Sequence, residues 1–363
     1  MTALYVHVPF CENKCGYCSF YSKKPRAGEI ASWLEALELE IISRLSFLKK
    51  FPAPELLYIG GGTPSLLSVP QWKKFFDTLK KFFGLTNLIE ATVEANPNSL
   101  TREHVNFFKA NGFTRISLGV QSLEDKELKI LGRLHDSEQA LKAMELVKNS
   151  GLALNCDLIF AVPGQTLRTW ASSLKKVIQL ADHVSTYQLT LEPDTPLGKK
   201  FLNEDLNFQG YKFYRYAQYF LPQKNFLQYE ISNFAPAGFE CRHNISYWTQ
   251  EDVIALGPSA VSYLAGVRTK NPGTLEKYFR AAEKNFPVEF LEEKESLPPR
   301  EKNLELVILS LRTKWGIARE LVPVEVLEIL DSLPRDLFSE YGERIILSPR
   351  GMRLGNAIWS EII

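Results

Sequence analysis

Three cysteines crowd one short stretch of this chain. Cys11, Cys15 and Cys18 follow a C-x3-C-x2-C spacing within Tyr5-Val-His-Val-Pro-Phe-Cys-Glu-Asn-Lys-Cys-Gly-Tyr-Cys-Ser-Phe20. Thiolates are soft ligands, and three this close together can hold three irons of a cubane iron–sulfur cluster. Such clusters normally take four cysteines. A missing fourth ligand leaves one iron open to an outside chelator. The same three cysteines with His7 could instead close a tetrahedral zinc site. A disulfide framework is not expected, because the total of five cysteines is odd and no secretory signal is present. Cys156, inside Leu154-Asn-Cys-Asp-Leu-Ile159, reads as an inert strand cysteine.

Elements that could position such a site are legible in the apolar pattern. The chain has 363 residues and is 45% hydrophobic, enough for a large domain and a small one. Strands are expected over 4–8, 56–59, 89–94, 115–119, 153–159 and 184–189. Helical periodicity covers 30–48, 70–83, 102–111, 137–149 and 167–180. Thr101 and Ser137 can start helices, and Gly112 and Gly151 sit where helices should end. Strands alternating with helices imply a parallel α/β sheet with right-handed crossovers. Six such units fall short of a closed eightfold barrel, so an open, partial (β/α)6 barrel is expected over 1–198.

Beyond residue 198 the alternation fades. Residues 199–296 form an aromatic-rich extension, in which Phe213, Tyr216 and Phe220 recur at helical spacing and read as core. Leu297-Pro-Pro-Arg-Glu301 reads as a hinge into a last unit, 297–363. Helices near 301–312 and 323–333 and a hairpin over 345–354 suggest a small winged-helix-like α+β domain. No helix there carries a basic stripe, and the net charge is +1, so nucleic acid is not an expected partner. No apolar run approaches the ~20 residues of a membrane span. The first strand starts at residue 4, leaving no room for a targeting peptide, and a cytoplasmic location is expected.

In a parallel barrel, chemistry gathers at the C-terminal ends of strands. Polar and glycine residues fall at those ends here. Gly60-Gly-Gly-Thr-Pro-Ser65 follows the second strand, Glu94 ends the third, Gln121 follows the fourth, and Asp157 lies in the fifth. Three glycines let the backbone approach a ligand closely, and their amides can bind a carboxylate.

The cysteine spacing resembles the radical S-adenosylmethionine (SAM) signature. Further motifs appear in order. They include Ile59-Gly-Gly-Gly-Thr-Pro-Ser65, Glu94-Ala-Asn-Pro97, Arg115-Ile-Ser-Leu-Gly-Val-Gln-Ser122, Leu131-Gly-Arg-Leu-His135, Tyr229-Glu-Ile-Ser-Asn-Phe234 and Cys241-Arg-His-Asn-Ile-Ser-Tyr-Trp248. Together they resemble the HemN/HemW family of radical SAM proteins over nearly the whole chain, and its heme-chaperone branch more closely. The oxygen-independent coproporphyrinogen III oxidases of that family carry a fourth cysteine where this chain has Phe20. They also carry an N-terminal extension, and the His-Asn-x-x-Tyr-Trp element is typical of the chaperones.

The resemblance implies a [4Fe–4S] cluster on Cys11, Cys15 and Cys18, with SAM on the open iron. The reduced cluster of that superfamily splits SAM into methionine and a 5′-deoxyadenosyl radical. Tyr5, Tyr17, Gly61, Gly62, Thr63, Glu94, Gln121, Arg133 and Asp157 would line the SAM pocket. An acid there can hold the SAM amine or a ribose hydroxyl, and Arg133 can pair the carboxylate. The implied role is heme binding and transfer to acceptor proteins, with an electron donor for the cluster. Coproporphyrinogen oxidation is the rival, and a zinc-stabilised scaffold the non-catalytic alternative. Among the five histidines, His243 in the His-Asn-x-x-Tyr-Trp element is the candidate to ligate or orient heme. The chain departs from the family at Ser19, at Ala161 and Val162, at Pro258 and at Val261, where a histidine is common.

Overall fold

The computed structural model describes residues 1–201 and 206–362, with side chains from 210 onward in the second segment. Among the described residues, one sheet of twelve strands organises the molecule. Its strands are β1 (Thr2–Val8), β2 (Leu56–Gly61), β3 (Glu90–Ala95), β4 (Arg115–Gln121), β5 (Ala153–Phe160), β6 (His183–Gln188), β7 (Leu227–Gln228), β8 (Asn233–Ala235), β9 (Asp252–Leu256), β10 (Val261–Leu264), β11 (Val267–Lys270) and β12 (Glu293–Ser296). β1 to β6 lie in chain order and pair in parallel, close to the positions their apolar runs indicate. The sheet ends at β12 on one side and β7 on the other, so it stays open.

Helices Glu29–Leu48, Val69–Phe83, Arg102–Ala110, Ser137–Lys148 and Leu167–Val177 are the crossovers. Thr101 caps its helix as expected, its hydroxyl accepting from the His104 amide. Ser137 does not: Asp136 is the cap, accepting from the Gln139 amide while Gln139 reaches back. A carboxylate one residue earlier satisfies the free amides better than the serine can.

The extension after residue 198 returns to the same sheet. β9 pairs in parallel with β1, Leu4 opposite Ile254, and β8 pairs antiparallel with β6. β9 escaped the sequence reading because four apolar residues, Val253 to Leu256, are too few to distinguish strand from helix. Phe213 and Phe220 are buried in the main core and Tyr216 packs on it, as their spacing implies.

A second core, with Val307, Leu311, Val326, Leu330, Ile345 and Ile358, belongs to the chain after Pro299. It carries a three-stranded antiparallel sheet: β13 (Ile317–Ala318), β14 (Phe338–Tyr341) and β15 (Arg344–Leu347). The hairpin expected over 345–354 is displaced. Its strands are β14 and β15, and Pro349–Arg353 is a helix. Ser348 caps that helix and Pro349 occupies its first turn, where no backbone donor is needed.

Two devices join these parts. Arg312 lies between the rings of Trp248 and Trp359, at 4.5 and 5.0 Å from their centroids. Glu40 has no solvent exposure and accepts from Arg44 at 2.7 Å, Asn271 at 2.7 Å, Tyr278 at 2.6 Å and the Gly257 amide at 2.9 Å. A buried carboxylate is tolerated only when its oxygens are paired this fully.

Candidate functional site

The cysteines lie on the loop after β1. Backbone bonds staple that loop to the sheet and to its neighbours. Cys11 N–H donates to Lys23 O at 3.0 Å, Gly16 N–H to Leu131 O at 3.1 Å, and Thr63 N–H to Phe10 O at 2.7 Å. Gly62 is required at this crossing, because a Cβ there would stand 2.5 Å from the Phe10 carbonyl oxygen. Side chains then reach the sulfurs. Thr63 Oγ1 lies 3.4 Å from Cys11 Sγ, and Arg133 Nη1 lies 3.3 Å from Cys15 Sγ.

Behind the loop is a cavity of about 500 Å³. Its walls carry Cys11, Cys15, Cys18, Tyr17, Gly61, Gly62, Thr63, Glu94, Gln121, Arg133 and Asp157. The strand ends thus bring together ten of these residues from six separate stretches of sequence, and Tyr17 beside them. Glu94 accepts from Tyr58 Oη at 2.9 Å and from the Gly61 amide at 3.0 Å. Its carboxylate lies over Gly60, where a Cβ would come within 2.8 Å. Asp157 accepts from Ser117 at 3.0 Å and Asn155 at 2.9 Å. Gln121 ends β4 at φ 64°, beyond a register shift, and this bulge re-aims its side chain.

Arg133 donates to Asn96 Oδ1 at 2.5 Å and Gly119 O at 2.8 Å, and its Nε is buried without a partner. Asn96 also donates to Thr63 at 2.9 Å, so it links the glycine turn to Arg133. Asn96 and Tyr58 are site residues that the sequence reading passed over. A signal for Tyr58 was present: it is a lone phenol in the apolar run Leu56-Leu-Tyr-Ile59.

Tyr5 lies elsewhere. It shares a strand face with His7, as residues two apart must, and both line a second cavity of about 360 Å³. Ser19 and Phe20 border both cavities, and Val261 lines the second. His7 has both ring nitrogens engaged, Nδ1 with Tyr5 Oη at 3.1 Å and Nε2 with Tyr21 O at 2.9 Å. It is therefore not placed as a fourth ligand beside the cysteines. Among the described residues no three His, Cys, Asp or Glu side chains converge as ligands of one metal ion. Zinc needs that convergence, with each sulfur about 2.3 Å from the ion. A cubane does not, because each thiolate meets a different iron.

His243 is 1% exposed and lines neither cavity. Its ring packs 5.0 Å from that of Tyr58 and stands edge-on to Tyr247 at 5.3 Å. Burial lowers its pKa to about 3, so it is a neutral imidazole. The helix Arg242–Trp248 that carries it is seated by Glu90, which accepts from the Arg242 and His243 amides at 3.0 and 3.1 Å.

Burial, and after it the Asp157 carboxylate, push Glu94 from 4.5 up to about 7. The folded value thus lies above the unfolded one. Stability from protonated Glu94 is full below the unfolded value and is lost as pH rises through about 7. The apoprotein should therefore become less resistant to urea between about pH 5 and pH 7.5, by on the order of 2 kcal/mol from this group. Glu94→Gln should flatten that slope in part. Glu230, also pushed up to about 7, remains to supply the rest. An unchanged slope in the variant would show that Glu94 ionises normally.

A stapled three-cysteine loop above an open parallel sheet, with acids and glycines at the strand ends, is the arrangement of radical SAM proteins. The Radical SAM superfamily profile matches residues 5–177. The chain is similar to "Heme chaperone HemW" of Bacillus subtilis (strain 168), at 32% identity over 100% of this chain and 99% of that one. It is 33% identical to the Lactococcus lactis protein of the same name, over 99% of this chain and 96% of the other. The fold resembles that of coproporphyrinogen III oxidase (HemN) from Escherichia coli, with a TM-score of 0.84 at 23% identity over 99% and 89% of the two chains. The chain belongs to the HemW family of radical SAM proteins. Radical SAM membership implies a [4Fe–4S] cluster and SAM. The donors present fit both: three thiols on one loop, and beside them an arginine with a buried, unpartnered Nε.

Proposed function

We propose that this protein binds heme and passes it to acceptor proteins in the cytoplasm, with a SAM-loaded [4Fe–4S] cluster beside the heme site. The observation that carries this reading is the full-length likeness to relatives named heme chaperones. The second cavity, aromatic-walled and meeting the first at Ser19 and Phe20, supplies room for a flat ligand next to the cluster.

In this reading Cys11, Cys15 and Cys18 hold the cluster, whose chemistry when reduced is the cleavage of SAM. Arg133 faces the SAM carboxylate while its other nitrogens hold Asn96 and Cys15 in place. Glu94 and Asp157 hold the amine and a ribose hydroxyl. Gly61, Gly62 and Thr63 bring backbone close to the ligand, with Gln121 and Tyr17 closing the walls. Tyr5 acts from behind, its ring 6.2 Å from that of Tyr58, which donates to Glu94. An external electron donor reduces the cluster.

Anaerobically reconstituted protein should bind hemin stoichiometrically and transfer it to an apo-acceptor. Given coproporphyrinogen III, SAM and reductant, it should form no protoporphyrinogen IX. Steady formation of that product would overturn the reading in favour of the oxidase. Absence of heme binding would refute it outright.

A further inference from the structure

The motif Tyr229-Glu-Ile-Ser-Asn-Phe234 lines neither cavity, yet its tyrosine is tied to the wall of the first. β7 and β8 form a hairpin against β6, and its turn brings Tyr229 to His183. Both side chains are buried. The Cys241 amide donates to Tyr229 Oη at 3.2 Å. Tyr229 Oη meets His183 Nε2 at 2.8 Å, and His183 Nδ1 meets Asn155 Oδ1 at 2.6 Å. Asn155 Nδ2 donates to Asp157 Oδ1 at 2.9 Å and to Ser117 Oγ at 2.7 Å. Ser117 donates in turn to Asp157 Oδ2 at 3.0 Å. Asp157 is the member of this chain that lines the first cavity with Glu94 and Arg133.

We propose that Tyr229, His183 and Asn155 are positioning residues for Asp157, joined in a chain of hydrogen bonds that all run toward its carboxylate and hold it as an acceptor facing SAM. This rests on the placement of Asp157 in the SAM pocket above and adds what orients it. The direction of every bond follows from the first. A backbone N–H can only donate, so Tyr229 Oη accepts there and gives its own proton to His183 Nε2. His183 then carries its proton on Nδ1 and donates it to Asn155 Oδ1. Burial, and after it the Arg115 guanidinium, hold the His183 pKa well below 6.5, so Nε2 stays free to accept. Asn155 Oδ1 also accepts from Ser185 Oγ at 3.1 Å. Its oxygen and its nitrogen are then each fully used.

The reversed chain meets a conflict at each end. Turning the Asn155 amide over would set its oxygen against the Asp157 carboxylate. Its nitrogen would face His183 Nδ1 and force the imidazole proton onto Nε2. Tyr229 Oη would then meet two donors, and its own proton would have no acceptor. A buried donor without a partner is costly, so the tyrosine fixes which way the asparagine points. Held in this way, Asp157 keeps acceptor lone pairs for the cavity and presents no donor. It suits an N–H or O–H group of SAM and repels the SAM carboxylate, which is left to Arg133.

The test is anaerobic calorimetry with SAM on the reconstituted protein, together with nitrogen NMR of histidine-labelled protein without SAM. Wild type should show His183, the signal absent from His183→Gln, with its proton on Nδ1. Tyr229→Phe, which removes one oxygen and keeps the ring, should move that signal toward a mixture of tautomers. It should also weaken SAM binding roughly tenfold. In an Asp157→Ala background, itself weakened, the same change should have no further effect, because residues that act through one partner do not add. Iron content should match wild type throughout. A wild-type His183 proton on Nε2, or a Tyr229→Phe effect of equal size with and without Asp157, would overturn the chain and leave the SAM pocket intact. Asp157→Ala that binds SAM as tightly as wild type would overturn the placement of Asp157 in that pocket, and the proposal with it.

Discussion

Replacing Cys11, Cys15 or Cys18 by alanine is expected to leave a folded chain that holds no iron–sulfur cluster. The loop that carries them is stapled by backbone bonds to Lys23, Leu131 and Gly62–Thr63, and none of these needs a thiol. The fold should therefore survive while the cluster, already one cysteine short of a full set, loses a second ligand. Reconstituted wild type should contain about four irons and four sulfides. Each variant should fall to background in both assays and keep its circular dichroism spectrum. Cys156→Ala and Cys241→Ala should retain the cluster. Cys156 is fully buried in β5, and Cys241 is buried beside Glu90, far from the loop. Stoichiometric zinc without sulfide in the wild type would sink the cluster assignment.

The second large effect concerns SAM. Glu94→Ala and Arg133→Ala should each weaken SAM binding by about 2–5 kcal/mol, the usual cost of stranding one partner of a buried charge pair. At the low end that is about thirtyfold in dissociation constant. Arg133→Ala carries an added cost, because Asn96 Oδ1 and the Gly119 carbonyl lose their donor. Iron content should not change, since the three thiols remain. Anaerobic calorimetry with SAM reads both effects. Equal affinity in both variants and wild type would remove these residues from the SAM pocket.

Local patterns in the chain determined more of this protein than its length would suggest. Three thiols within eight residues need no fold to be read as a cluster loop, because spacing alone brings them together. The six strands and five crossover helices were legible because each buries a periodic apolar face, and that period is written locally. Gly60–Gly62 was legible for a similar reason, since a glycine run marks a close backbone approach, here to Phe10 and Glu94.

Only the tertiary structure decided what lies beyond such periods. β9 joins β1 from far along the chain, and no local pattern encodes a partner about 250 residues away. Asn96 links Thr63 to Arg133 only after the ends of β2 and β3 meet the turn that follows helix Asp125–Leu131. The largest difference is at His243 and Tyr247. In sequence the histidine is the natural iron ligand and the tyrosine its neighbour one turn on. In the fold the helix, seated by Glu90, turns the imidazole into the core and leaves Tyr247 in the wall of the second cavity. Which residue faces a ligand depends on how a helix is rotated against the sheet, and packing sets that rotation.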